Sequence, residues 1–268
     1  MIDRICISIN NRCNLNCRYC HFHEKESLED ADMNVFEILD NVVGYAKGAF
    51  KIGFVGNGEA FLDFNRLKEY IAYIENYHNI SVYTITNGTV CISDEDWLFL
   101  NDHNVNVGFS VDGYKELHNL NRCNSYDKVM ENVDKYRLVT GHYPTFNATV
   151  GKESLLNARE IIEFFKPFGT RVTFSRMIGS HGISLQEYRS FLAFAEKEIP
   201  IRRGGMDCTM YGGLCGAGLN NFFFSNGKVY LCGNCIDLPP VGDSRMSFDE
   251  LEKLSVKFDR NYCYKESL

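Results

Sequence analysis

Ile5-Cys6-Ile7-Ser8-Ile9 and, three residues later, Cys13-Asn14-Leu15-Asn16-Cys17-Arg18-Tyr19-Cys20 form the stretch on which the rest of the chain turns. The first half sets isoleucine at every second position, the period of a strand. The second half spaces three cysteines as C-x3-C-x2-C. An iron–sulfur cube takes four thiolates. Three in one short loop hold three irons and leave the fourth open. An open position on a metal is where a ligand is bound and activated, as at a catalytic zinc. A zinc loop is the other reading of the same three cysteines.

Downstream, strand-like and helix-like segments alternate. A helix is predicted from about Met33 to Ala46, with Val35, Ile38, Leu39, Val42 and Val43 on one face and Asn34/Glu37 at capping-box spacing. Strands follow at 52–55, 81–85, 105–111, 146–150 and 172–177, with helical periodicity after each. Ser93-x-x-Asp96 and Ser184-x-x-Glu187 mark helix starts. Six βα units in a row mean parallel strands with crossover helices, and in such sheets ligands sit at the carboxyl ends of the strands. The cysteine loop lies at the first of those ends. Gly56-Asn57-Gly58-Glu59, Thr86-Asn87-Gly88 and Ser110-Val111-Asp112-Gly113 lie at the next three. Glycines there let backbone approach a ligand closely, and short polar groups suit the hydroxyls of a ribose. Residues 21–32 read as a solvated connection, and Cys6 as core.

Composition narrows the class. The 268 residues are 45% hydrophobic, enough for a sizeable core. The net charge of −7, with 28 Lys+Arg against 35 Asp+Glu, argues against broad nucleic-acid binding. No basic-then-apolar leader opens the chain, and no apolar run reaches the ~20 residues of a membrane helix. A cytoplasmic location is expected. Thiols stay reduced there, so the eleven cysteines are expected to bind metal rather than pair.

After Pro200 helical periodicity stops, and a domain boundary is expected near 201, dividing 1–200 from 201–268. Phe222 to Phe224, the turn Asn226-Gly227 and Val229-Tyr230-Leu231 read as a β-hairpin. Cys208, Cys215, Cys232, Cys235 and Cys263 fall in this region, and Ser247-x-x-Glu250 opens a last helix. Four thiolates on a structural zinc are one reading of these cysteines, for which Cys232-x2-Cys235 is suited.

The Cys13–Cys20 spacing, with an aromatic before the last cysteine, closely resembles the signature of the radical SAM enzymes. Gly56-Asn57-Gly58-Glu59 resembles that family's glycine–glycine–glutamate element, with Asn57 in place of the first glycine and Ala60 where proline is usual. Ser110-x-Asp112-Gly113 with His118-Asn119-x-x-Arg122 is similar to a segment of members that carry extra clusters, including sulfatase and peptide maturases. Cys215-x11-Gly227-x4-Cys232 resembles the opening of the SPASM domain and of its shortened twitch form.

The resemblance implies an α/β fold, an open (β/α)6 partial barrel of TIM type, with a small C-terminal hairpin-and-helix module. It implies a [4Fe–4S] cluster on Cys13, Cys17 and Cys20, whose open iron chelates S-adenosyl-L-methionine. Tyr19, Asn57, Gly58, Glu59, Asn87, Ser110, Asp112 and Arg122 would seat that cosubstrate. It also implies one auxiliary [4Fe–4S] cluster on Cys208, Cys215 and Cys232, with Cys235 or Cys263 as the fourth ligand. Cys91, Cys123 and a spare Cys235 are the thiols to consider as hydrogen donors. Asn147, Thr149 and Arg176 also stand where they can face the pocket. One electron, supplied by a flavodoxin- or ferredoxin-type donor, would release a 5'-deoxyadenosyl radical that takes a hydrogen atom from substrate. The expected substrate is a ribosomally made peptide, undergoing epimerisation, crosslinking or oxidation. The barrel starts at the first residues, so its leader is expected to dock elsewhere or on a separate partner. The alternatives are dehydrogenation or epimerisation of a small molecule such as an aminoglycoside, and a non-catalytic zinc or iron–sulfur protein.

Overall fold

The computed structural model describes residues 1–20, 34–202, 208–254 and 256–266. The polar connection expected at 21–32 and the expected helix start at Met33 lie outside the described residues. One mixed sheet runs in the order β6-β5-β4-β3-β2-β1-β7-β8-β9. Its parallel part is β1 (Arg4–Ile7), β2 (Phe50–Phe54), β3 (Ile80–Thr86), β4 (Asn106–Ser110), β5 (Thr145–Val150) and β6 (Val172–Arg176). β6 and β9 stay at opposite edges, so the sheet does not close. This is the expected α/β partial-barrel class.

The helices of the crossovers form where the apolar spacing put them. α1 (Val35–Tyr45) is capped by Asn34, whose side chain accepts from Glu37 N, and it buries Val35, Ile38, Leu39 and Val42. α2 (Phe64–Ile74) and α3 (Asp94–Asp102) follow, the latter capped by Ser93. α4 (Lys115–Asn121) is a seven-residue helix that follows β4. α5 (Tyr126–Thr140), α6 (Lys152–Leu156), α7 (Ala158–Phe165) and α8 (Leu185–Ala195) complete the series. The helix expected after β5 is thus two short ones. α8 carries the full Ser184–Glu187 capping box. Trp97, fully buried, packs against Phe61, Phe109 and Tyr136 and joins the α2–α3 side of the core to β4 and α5.

Beyond residue 208 the chain returns to the sheet. β7 (Asn221–Ser225) lies parallel to β1, with Cys6 opposite Phe223, and β8 (Lys228–Tyr230) and β9 (Gly242–Asp243) extend it antiparallel. The β7–β8 turn is Asn226-Gly227, both at positive φ (51° and 69°). That pair suits the twist of a two-residue hairpin loop. α9 (Phe248–Glu252), shorter than its pattern suggested, packs Phe248 on Tyr45 of α1. The C-terminal strands therefore share one sheet with the barrel strands.

Strand alternation fixes two faces. Ile5 and Ile7 of β1 are fully buried on one. Arg4, Cys6 and Ser8 fall on the other, the face on which Val55, Tyr83, Ile85, Ser110, Asn147, Thr149 and Ser175 also fall. Cys6 is therefore not packed among core aliphatics. It lines a cavity together with the C-terminal cysteines. The alternation of Arg4, Cys6 and Ser8 with Ile5, Ile7 and Ile9 separates the two faces, but a cysteine between isoleucines in mid-strand reads as core.

Candidate functional site

The Cys13–Cys20 loop leaves the carboxyl end of β1 and is held from three sides. The β2 end holds it through backbone, Glu59 N donating to Arg12 O at 2.7 Å. A Cβ on Gly58 would meet Arg12 O at 2.5 Å, so only glycine lets these two segments lie so close. The β3 end holds it through Asn87, whose Nδ2 donates to Asn14 Oδ1 (2.8 Å) and lies 3.8 Å from Cys13 Sγ. The β4 end holds it through Asp112. Tyr19 Oη donates to Asp112 Oδ2 at 2.9 Å, and Arg122 Nε to the same oxygen at 3.2 Å. Thr149 N donates to Asp112 Oδ1 at 3.0 Å. The Arg122 guanidinium also stacks over the Tyr19 ring, 5.4 Å from its centroid.

Helix α4 and the turn after it complete the clamp. Arg18 N donates to Asn121 O (2.9 Å), and Cys123 Sγ to Asn16 O (2.8 Å). Cys123, at φ 55°, is tied to the cysteine loop, whereas Cys91 bonds to Asn132 and Lys128 of α5. His118 is fully buried in α4, its Nε2 3.0 Å from Ser125 Oγ. It is a core group that fixes the α4–α5 corner. At the rim, Arg18 Nη2 donates to Glu153 Oε1 (2.5 Å) and to His181 Nδ1 (2.7 Å). Glu153 and His181 were not foreseen, because nothing in their local sequence links them to the loop.

Glu59 is buried, and its carboxylate is engaged. Oε1 accepts from Phe61 N (3.0 Å) and Thr86 Oγ1 (2.9 Å), Oε2 from Asn87 N (2.6 Å). Burial raises its pKa, and the Asn87 and Phe61 amides and Thr86 oppose that rise. Its carboxylate locks the β2 and β3 ends together. Asn57 donates to Ser225 Oγ (2.8 Å) and Asn11 Oδ1 (3.1 Å), and its own Oδ1 is buried with no partner. Ser110 sits buried at the end of β4, opposite Asn147. Arg176 is turned to the C-terminal segment, its Nη2 2.6 Å from Glu266 Oε2.

Two of the loop thiols, Cys13 and Cys17, are held toward the neutral state. Burial pushes Cys17 up to about 12, with Arg122 opposing, and burial also raises Cys13. At Arg122 burial works against the charge, but Asp112 prevails and the guanidinium stays firmly protonated. Binding metal here must displace thiol protons.

The second set of thiols is more deeply placed, with Cys215, Cys235 and Cys263 buried and Cys208 and Cys232 half-buried. Cys208, Cys215, Cys232, Cys235, Cys263 and Cys6 line one cavity of about 150 Å³, walled by Val55, Tyr83, Ile85, Tyr211, Phe222 and Phe223. Burial pushes Cys208 up to about 12, and the neighbouring Cys232, Cys263 and Cys215 add to the rise. Cys263 is raised by burial, with Cys232 and Cys215 adding. Cys232 is raised first by its hydrogen bond with Cys235 and then by burial. None of the eleven cysteines forms a disulfide. Among the described residues no three His, Cys, Asp or Glu side chains converge as a single metal ion requires. A four-iron cube, in which each iron takes its own thiolate, calls for separated thiolates instead, and soft thiolates suit it. The donor chemistry of both sites fits iron–sulfur ligation.

Among the described residues no helix is long and apolar enough to cross a membrane. The radical SAM superfamily profile matches residues 7–165, more than half of the 268. A cysteine-type anaerobic sulfatase-maturating enzyme of Clostridium novyi (strain NT) is 28% identical over 179 residues, 59% of this chain and 46% of that protein. The chain thus spans about half the length of that curated relative. Two solved structures share the fold. One is native anSMEcpe with bound AdoMet (TM-score 0.75, 22% identity, 99% of this chain and 82% of that one). The other is Streptococcus suis SuiB bound to precursor peptide SuiA (TM-score 0.74, 15% identity, 94% and 64%).

Proposed function

The chain belongs to the radical SAM superfamily, and on that premise we propose that it is an enzyme that abstracts a hydrogen atom from a ribosomally made peptide. The observation that carries this reading is the loop of Cys13, Cys17 and Cys20, clamped at the carboxyl ends of β1 to β4 by Asn87, Glu59 and the Tyr19–Asp112–Arg122 group. Family members bind a [4Fe–4S] cluster and S-adenosylmethionine. When bound, the cluster supplies the electron that splits S-adenosylmethionine to methionine and a 5'-deoxyadenosyl radical.

The chain's own residues position and shield. Cys13, Cys17 and Cys20 are the three thiolate ligands. Asn87 offers Cys13 a side-chain N–H, and the charge of Arg122 favours ionisation of Cys17. Tyr19 tethers the loop through Asp112. Gly58 brings the β2 loop against it, and the unpartnered Asn57 Oδ1 is an acceptor suited to an amino group. Ser110, at the next strand end, suits a ribose hydroxyl.

Cys208, Cys215, Cys232 and Cys263 are assigned to an auxiliary [4Fe–4S] cluster. Cys208 is raised by the neighbouring Cys232, Cys263 and Cys215, and Cys263 by Cys232 and Cys215, whereas Cys235 acts on Cys232, with which it shares a hydrogen bond. With four protein ligands that cluster is coordinatively complete, suited to electron transfer or substrate placement. The substrate class is supported by the maturase relative and by the peptide-bound neighbour. Epimerisation, crosslinking or oxidation is the outcome. A flavodoxin- or ferredoxin-type donor, a leader-binding partner and a cytoplasmic setting belong to the same proposal.

Anaerobic reconstitution tests it. About eight irons per chain and reductant-dependent 5'-deoxyadenosine are expected. Two zincs and no cleavage would refute the reading. With a peptide encoded beside this gene, solvent deuterium entering the product marks epimerisation by a thiol donor. Turnover of a small molecule with no peptide modified would overturn the substrate class.

A further inference from the structure

Arg4 is an unusual residue to find inside this sheet. It is 7% exposed, and among the described residues no carboxylate lies within ion-pair distance of it. It shares the inner face of β1 with Cys6 and lines the thiol cavity. The charged and titratable groups in its electrostatic reach are Cys6, Cys232, Tyr83, Tyr211 and the second cation Arg202. None of these is an anion while the thiols and phenols keep their protons. A guanidinium cannot ionise away its burial cost as a lysine can. A buried cation without an anion is strongly disfavoured. The cavity therefore asks for a negative occupant.

Beside Arg4 the strand register builds a second polar contact. Cys6, Gly53 and Tyr83 are opposite one another on β1, β2 and β3. A side chain on Gly53 would overlap the Tyr83 ring, so glycine there lets the phenol lie across β2. Its Oη then stands 3.2 Å from Cys6 Sγ. Cys6 and Tyr83 thus spend their polar atoms on each other, leaving Arg4 as the group that faces the cavity with charge.

We infer that Arg4, from the first strand of the barrel, is the counter-cation of the auxiliary cluster and sets its reduction potential. This rests on the assignment of Cys208, Cys215, Cys232 and Cys263 as that cluster's ligands. Four thiolates give the cluster net negative charge, and each electron it accepts adds more. A fixed positive charge beside it favours the reduced state, and net charge and solvent exposure are known determinants of cluster potentials. Arg4 is a positioning and tuning residue and touches no reacting atom.

The test uses the full chain carrying Cys13→Ala, Cys17→Ala and Cys20→Ala, reconstituted so that only the auxiliary cluster loads, and titrated by EPR against potential. Arg4→Met is expected to lower the midpoint by a tenfold change in the reduction equilibrium, about 59 mV for one electron. Arg4→Lys should recover most of it. Without metal, Arg4→Met should unfold at the same or higher denaturant concentration, because it removes an uncompensated buried charge. A merely structural arginine would instead cost the metal-free chain stability. If Arg4→Met folds but loads no cluster while Arg4→Lys loads fully, the charge requirement stands; equal loading failure in both overturns it. A loaded cluster whose potential is unmoved in Arg4→Met overturns the role of Arg4 alone. A background chain with Arg4 intact that loads no cluster overturns the ligand assignment itself, and the inference with it.

Discussion

The chain carries two sets of cysteines built on opposite plans. Cys13, Cys17 and Cys20 sit in a loop at strand ends, half-exposed or exposed, and surrounded by hydrogen-bonding side chains. Cys208, Cys215, Cys232 and Cys263 sit in a small cavity walled by aromatic and aliphatic groups, with one buried cation. Three ligands and an open approach suit a site that must admit and activate a second molecule. Four ligands and apolar walls suit one that must only hold charge. Both sets grow from β1, whose inner face lines the cavity and whose carboxyl end starts the loop.

The largest contrast is in ligand count. Replacing Cys208 or Cys263 by alanine should halve the iron, whereas Cys235→Ala should keep all of about eight per chain. Iron loss in Cys235→Ala with full loading of Cys263→Ala would reassign the fourth ligand.

Next comes the tether of the open site. Asp112 and Arg122 are a buried pair at 3.2 Å, and Asp112 also holds Tyr19 and Thr149 N. Asp112→Asn strands the guanidinium and should cost about 3–5 kcal/mol in denaturant unfolding. A cost near zero would show that the cysteine loop is held by something else.

The wall behind the loop has a pH signature. Loss of hydration pushes buried His118 down to about 4, while in the unfolded chain it titrates near 6.5. As pH falls through that window, the unfolded chain binds a proton that the folded one refuses. Stability should therefore drop by about 3 kcal/mol between those values. The slope should be missing from His118→Gln; a parallel curve for the variant would assign it to other groups.

The smallest effect belongs to the rim. The Arg18–Glu153 pair is partly exposed, and Arg18→Gln should lower stability by less than about 1 kcal/mol. A larger loss, measured by thermal melting, would make that pair part of the clamp.

The alternation of elements was legible from residue periodicity. The helix starts were legible too, since Asn34, Ser93, Ser184 and Ser247 each cap the helix their spacing announced. Cysteine spacing picked out both sets of thiols as groups. What sequence could not give was what the Arg4–Cys6 side of β1 faces. Arg4, Cys6 and Ser8 alternate with Ile5, Ile7 and Ile9, and that period puts the two sets on opposite sides without saying which neighbours cover each. The parallel pairing of β1 with β7 was equally hidden, because it joins residues more than two hundred positions apart. Without that pairing nothing links Cys6 to Cys232. Helix α4 was missed because seven residues opened by Tyr114, with no capping side chain, give almost no local signal.

The central claim is the division of labour between the three-cysteine loop and the apolar thiol cavity. It is tested most directly by reductant-dependent formation of 5'-deoxyadenosine in two triple variants, each reconstituted anaerobically. The account predicts that Cys208→Ala/Cys232→Ala/Cys263→Ala still cleaves S-adenosylmethionine, and that Cys13→Ala/Cys17→Ala/Cys20→Ala does not. Cleavage that survives loss of the loop cysteines would contradict it.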